Sequence, residues 1–382
     1  MASGESMASG EGMASGEGMA SGEGLRSGES FASLAGTASG ESLGSGKPVI
    51  PPATLSRGPW ATAIYRLGRD RTALVALAVF VLIVASCLLA PVYAWWAGVD
   101  PFKSSLDAVI TLNGVPQPVM EVPTTGLGLG YSPIGPTWHL GTYFLGADNQ
   151  GRDVMARLLY GGMNSILIAS AATAFTLLIA TVLGLMAGFF GGLIDMVISR
   201  ILDVLWAFPV YLLAISLSIV LLTQGITIGP FVIDSASLWL PIFIIGVIYI
   251  PYVARPVRGQ VMSLRQSDFV MAAIGLGAPS GRILWKDILP NVSTTLIVFI
   301  PIMMALNMLT ESALSFLSIG VQPPDASWGT IIQDGQGLLY TRPAVALAPG
   351  IMIVISVLSL NVFGDGLRDA MDPRSKIKLG RG

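Results

Sequence analysis

Asp268-Phe-Val-Met271-Ala272-Ala273-Ile-Gly-Leu-Gly277-Ala-Pro-Ser-Gly-Arg-Ile-Leu-Trp-Lys-Asp287-Ile-Leu289-Pro290 is a moderately polar stretch set between segments apolar enough to span a bilayer. Gly and Pro punctuate it, so it reads as a two-part helical segment bounded by Gly277 and Pro290. Such a hairpin at the end of a membrane bundle has nothing to bury against within the lipid. It is therefore expected to dock onto a partner protein.

Composition places the rest of the chain around it. Hydrophobic residues make up 53% and charged residues 12%, and the mean hydropathy is +0.70. These values exclude a soluble globular domain. A span needs about 20 apolar residues, and six stretches qualify: 72–96, 165–189, 201–222, 238–254, 294–317 and 344–363. Pro241 and Pro251 break the fourth. The fold class is thus an all-α membrane protein with six transmembrane helices. The first 50 residues lack the apolar core of a signal peptide, so the first span is expected to serve as anchor and export signal.

Charge sets the orientation. With the N-terminus in the cytosol, the inner segments hold Arg26, Lys47, Arg57, Arg66, Arg69, Arg71, Arg200, Arg255, Arg258, Arg265, Arg282, Lys286, Arg368, Arg374, Lys376, Lys378 and Arg381. Only Lys103, Arg152, Arg157 and Arg342 of the 21 Lys and Arg then lie outside. The positive-inside bias favours both termini, and residues 268–290, in the cytosol. The net charge of −2 gives no reason to expect a nucleic-acid partner. Cys87 is the single cysteine, so no disulfide framework exists.

Residues 1–48 repeat Met-Ala-Ser-Gly-Glu with a six-residue period. This Gly/Ser/Glu composition cannot bury a core and reads as a disordered cytosolic tail. Gly44-Ser-Gly-Lys47-Pro48 fails as a phosphate loop, since Glu41 and Pro48 stand where Gly and Ser/Thr belong. Residues 49–98 hold a cytosolic segment and the first span, with Trp95 and Trp96 fitting an interfacial belt at its outer end. Residues 99–163 form an external loop with the lone His139, which reads as structural. Residues 164–375 form the core, and 376–382 a cytosolic tail.

Three constellations stand out beside the opening stretch. Leu145-Gly-Ala-Asp148-Asn-Gln-Gly151-Arg152-Asp153-Val-Met-Ala-Arg157 precedes the second span. Asp148 and Asp153 can cap helix starts, and Arg152 and Arg157 can pair with them. The segment is then either a rigid elbow or part of a face that meets an external partner. Gly184 and Gly188 form a small-xxx-small face that lets helices approach closely. Asn307, Glu311 and Ser315 share one face of the fifth span. Glu311 falls ~25 Å along that helix, near the outer boundary, as a pathway group or as an anchor for the loop that starts at Gly320.

No catalytic constellation is present in the sequence: no Cys/His cluster and no paired carboxylates, so neither catalysis nor a metal site is expected. A multispan chain without a nucleotide-binding loop conducts passively, uses an ion gradient or borrows an ATPase. The hairpin at 268–290 favours the last.

Ala272-Ala273, Gly277 and Ile288-Leu289-Pro290 resemble the "EAA" loop of ABC importer permeases. Leu145 to Gly161, Glu311-Ser-Ala-Leu-Ser-Phe-Leu317, Gly320-Val-Gln-Pro-Pro324, Ser327-Trp-Gly329 and Asn361 to Asp369 with Asp372-Pro-Arg374 are similar to the oligopeptide/dipeptide permease family, C-type subunit. The resemblance implies a type I ABC importer permease fold that pairs with a B-type permease. It also implies two cytosolic ATPase subunits that hydrolyse the ATP, an external substrate-binding protein, and no cofactor held by this chain. Peptides are the implied substrate, with nickel or oligosaccharides as alternatives. A gradient-driven secondary transporter is the reading from a different class. In the EAA role Gly277 makes the turn between two short helices and Pro290 ends the second. Two positions depart from that pattern. Met271 stands where the family has an acid, with Asp268 nearby as a substitute, and Asp287 stands where a His is common.

Overall fold

The computed structural model describes residues 59–112, 114–121, 131–141, 143–224, 226–228, 231–233 and 237–372. The repeat tail at 1–48 and the basic residues Arg374, Lys376, Lys378 and Arg381 lie outside them. In chain order the helices are α1 (Pro59–Leu67), α2 (Arg71–Leu88), α3 (Ala90–Ala97), α4 (Val154–Phe190), α5 (Gly192–Ala207), α6 (Val210–Gln224), α7 (Trp239–Ile248), α8 (Ile250–Arg265), α9 (Asp268–Gly275), α10 (Ser280–Arg282), α11 (Leu289–Phe316), α12 (Trp328–Gly335) and α13 (Ala344–Met371). Three two-stranded antiparallel ribbons sit in the loops: β1 (Val109–Leu112) with β2 (Val115–Pro118), β3 (Met120–Glu121) with β4 (Ser132–Pro133), and β5 (Ile226–Ile228) with β6 (Phe231–Ile233). The all-α expectation therefore holds for the bundle, and the ribbons only tie loop segments together.

Four helical runs are long and apolar enough to cross a membrane: Arg71–Leu88, Val154–Phe190, Ser280–Phe316 and Ala344–Met371. Two bent pairs complete six spans if each counts as one: α5 with α6, bent by 91°, and α7 with α8, bent by 44°. The expected third span, 201–222, thus straddles a near right angle. Its cause is Phe208-Pro209, where Pro forces the preceding residue out of the helical region, and Phe208 has ψ 138°. The second bend falls at Tyr249, ahead of Pro251 in the first turn of α8. Pro241 lies inside α7 without ending it.

Small residues set the packing. A Cβ on Gly188 would lie 2.7 Å from the Cβ of Val261, and one on Gly184 would lie 2.9 Å from that of Val257. The Gly184/Gly188 face is thus where α8 closes onto α4, as the spacing predicts. On the next helix over, Arg258 pairs with Asp195, and Arg255 with Asp203 at 2.8 Å. These pairs pin α5 to α8. The α4 helix is the bundle's spine, and 37 residues make it ~55 Å long, well beyond the hydrocarbon thickness of a bilayer. The Asp/Arg motif sits at its N-terminal end, where the chain is helical from Val154 and not a loop up to residue 163.

Candidate functional site

Residues 268–290 form a hairpin at the end of the bundle where α8 finishes and α11 begins. Gly275 ends α9, Leu276 caps it and Gly277 follows with φ +76°. The amide of Ala278 donates to the Ala273 carbonyl at 3.1 Å, and that of Gly277 to Ile274 at 2.9 Å. This pair of bonds is the Schellman closure, which needs a left-handed residue at Gly277. A Cβ there would meet nothing within 4 Å, so the cost of a side chain is conformational. Gly277→Ala is expected to destabilise the turn by about 1 kcal/mol, read as faster amide exchange over 274–278 with the bundle unchanged.

Pro290 does not end the second helix. The helical path runs unbroken from Ser280 to Phe316, with a wider π-turn at Ile283–Ile288 and Pro290 in the first turn of α11. Within this continuous helix Pro290 donates no amide hydrogen bond to the preceding turn, and the π-turn relieves the crowding its ring would cause there.

The hairpin buries one side and bares the other. Val270, Ile283 and Ile288 are buried and Ala273 is half-buried, whereas Asp268, Met271, Ala272, Gly277 and Pro290 are exposed. Asp287 and Leu289 are half-buried, and the Asp287 carbonyl accepts from the Asn291 side chain at 2.7 Å. Phe269, Met271 and Ile274 are 46%, 57% and 45% exposed, Leu276 88% and Trp285 72%. Five large apolar side chains thus face out from a segment expected to lie outside the lipid, which marks an interaction surface.

The opposite end of α4 holds a buried charge cluster. Asp148 closes its own turn by accepting from the amides of Gln150 at 2.8 Å and Arg152 at 3.0 Å, so it does not cap a helix. Gly151 has φ +71°, and a Cβ there would sit 2.5 Å from the Ser105 carbonyl oxygen. Asp153 is the N-cap of α4, accepting from the Ala156 amide at 2.7 Å. Arg152 and Arg157 both reach Asp148, at 2.7 and 3.3 Å, and both reach Asp334, at 3.0 and 2.8 Å. Asp334 is the member that local reading misses. With Asp153 spent on the cap, two arginines faced one free acid, and that imbalance was the available signal. A cleft of about 530 Å³ opens beside the cluster, lined by Phe102, Gln322, Gln333 and Asp325 among others.

Burial pushes the Asp153 carboxyl up to about 6, against the backbone amides of Ala156, Met155 and Tyr143 that hold it down and with the nearby Asp148 charge adding to the rise. An unfolded Asp releases its proton near ~3.9. Between those values the folded chain binds more protons, so this group's stabilisation is complete below about pH 4 and lost as pH rises through 6. Asp153→Asn keeps a capping oxygen and is expected to flatten that stretch of a stability–pH curve. An unchanged slope for the variant contradicts this assignment.

Asn307, Glu311 and Ser315 do share a face, and all three are fully buried within this chain. Asn307 donates to Thr173 of α4 at 2.9 Å. Ser315 donates to Glu311 at 2.7 Å and accepts from the Val321 amide at 3.1 Å. The returning segment packs tightly on this face, since a Cβ on Gly329 would lie 2.8 Å from the Cα of Ser312 and the Cβ of Ser315. Trp328 is fully buried, its amide donating to Ser165 and its indole N–H to the Leu158 carbonyl, at 3.1 and 3.0 Å. Gly329→Ala is expected to push α12 off α11 and cost about 2–3 kcal/mol, measured as a lower melting temperature of the purified chain in detergent.

Residues 180–377 match the family described as the binding-protein-dependent transport system inner membrane component, and residues 58–107 match the N-terminal TM domain of oligopeptide transport permease C. The chain belongs to this permease family. As a member it is a multi-pass membrane protein with the type I ABC importer permease fold, and its family is one of transport permeases. A dipeptide transport system permease protein of Alkalihalophilus pseudofirmus is 33% identical over 318 residues, 83% of this chain and 91% of the relative. An oligopeptide transport system permease protein of Bacillus subtilis is 32% identical over 315 residues, 82% and 90% of the two chains. A glutathione transport system permease protein of Pectobacterium atrosepticum is 36% identical over 234 residues, 61% and 73%.

Proposed function

We propose that this permease is the C-type subunit of a peptide importer, pairing with a B-type permease and driven by two ATPase subunits, one of which seats on residues 268–290. The observation that carries it is the exposure of Phe269, Met271, Ile274, Leu276 and Trp285 on a hairpin closed by Gly277. Asp268, three residues before Met271 and on the same side of α9, supplies the acidic contact that Met271 lacks. Both termini and this hairpin lie in the cytosol on the positive-inside count, and an external binding protein delivers substrate at the Asp148–Asp334 end.

The coupling follows from the continuous path. ATPase closure displaces α9 and α10, and the run from Ser280 to Phe316 carries the displacement to Glu311 and Ser315 as one lever. There it meets the 320–329 segment, for which Glu311 and Ser315 act as anchor. ATP is bound and hydrolysed by the partner subunits, and this chain holds no cofactor.

Relatives named for dipeptides, oligopeptides and glutathione support peptides over nickel or oligosaccharides. The test is uptake into proteoliposomes holding both permeases and the ATPases, with the cognate binding protein outside. Labelled di- and oligopeptides are expected to accumulate with ATP inside. Accumulation of nickel or an oligosaccharide in their place overturns the substrate assignment.

A further inference from the structure

The external loop carries an aromatic tip that the transport reading does not use. Thr137, Trp138, His139, Leu140 and Gly141 turn back on themselves, and the turn is firmly held. Thr137 donates through its amide and its hydroxyl to the Tyr143 carbonyl, at 3.3 and 3.1 Å, and the Trp138 amide donates to Phe144 at 3.3 Å. The His139 amide donates to the Thr137 hydroxyl at 3.2 Å. Trp138 sits at φ +59°, a strained conformation for a bulky residue. Its ring meets Phe144 edge-on at 5.5 Å, yet it remains 67% exposed and Leu140 64% exposed.

The tip is seated on the end of the first span. A Cβ on Gly141 would lie 3.0 Å from the Trp96 ring. Trp96 and Trp95, on α3, are themselves 58% and 83% exposed. Trp138 and Leu140 thus continue an aromatic surface that begins where a membrane helix ends. Residues 122–147 also contain no Asp, Glu, Lys or Arg, which is unusual for a loop bathed in water.

We infer that the 137–141 tip is a membrane anchor, seated in the headgroup–acyl boundary of the leaflet that α3 reaches, beside Trp95 and Trp96. Indole rings favour that boundary because one edge is apolar and the N–H stays wet. The tip then fixes the height and tilt of the external loop relative to the bilayer, 40 residues along the chain from the span it rests on.

The test uses the full chain in lipid nanodiscs, with Cys87→Ala and Leu140→Cys carrying an environment-sensitive fluorophore. Gln117→Cys, on the exposed β2 ribbon, is the water-facing control. Emission at 140 is expected to be blue-shifted from that at 117 and quenched about twofold more by lipids spin-labelled high on the acyl chain. If Cys87→Ala impairs folding, the same label goes on Leu140→Cys with Cys87 retained, since that thiol is buried. Equal emission and quenching at the two sites overturns the anchor. So does a shift at 140 that arises only when the external binding protein is added, because the tip is then a protein contact.

Discussion

Asp334→Ala is expected to cost about 3 kcal/mol, the low end for breaking a buried ion pair, and to lower the melting temperature and the yield of folded permease. The reason is arithmetic of charge in a dry place. Arg152 and Arg157 are 7% and 2% exposed, and Asp148 alone cannot neutralise both once Asp334 is gone. The Asp334 side chain is 29% exposed, so water compensates part of the loss, which sets the estimate at the low end. The effect should reach beyond the cluster, because Asp334 is on α12 and its arginine partners flank the start of α4. Losing the link frees α12 from the spine against which Trp328 is packed. Melting in detergent checks it directly. A variant that melts with the parent chain shows that the four charges do not act as one unit.

The second large effect is at the other end of the molecule. Leu276→Asp with Trp285→Asp is expected to abolish ATPase co-purification while the chain still inserts and packs. Both side chains point away from the bundle, at 88% and 72% exposure, so the bundle should tolerate the change. A docking anchor is worth about 2 kcal/mol or more, which is roughly 30-fold in affinity for one residue and far more for two. Co-purification at parental levels would remove this face from the ATPase interface.

Hydropathy marked the candidate spans but not their course. The expected spans at 165–189, 294–317 and 344–363 coincide with long helices because a sustained apolar run has one solution in lipid, whereas 72–96 divides at Leu89 into α2 and the short α3. The 201–222 stretch is equally apolar, and its right-angle bend depends on a single Phe208-Pro209 step that a length count reads through. The opposite error arises at Pro290, where a helix end was expected. A proline inside a helix and one after a last turn look alike in sequence, and only the π-turn at Ile283–Ile288 distinguishes them. At the start of α4, Asp148, Gly151, Arg152, Asp153 and Arg157 were legible as a group because they are local. Asp334 was not, since it joins them from 177 residues beyond Arg157. The apolar side of the hairpin was partly legible: its Gly and Pro marked the fold, whereas the exposure of Leu276 and Trp285 depends on how α8 and α11 aim it.

The most direct measurement of the central claim is dipeptide uptake into proteoliposomes under two energy sources. One arm has ATP enclosed with the ATPases. The other omits the ATPases and imposes a proton or sodium gradient. Coupling through residues 268–290 predicts uptake only in the first arm, and none there for Leu276→Asp/Trp285→Asp. Uptake in the second arm, or parental uptake by the double variant in the first, contradicts a permease that borrows its motor through this hairpin.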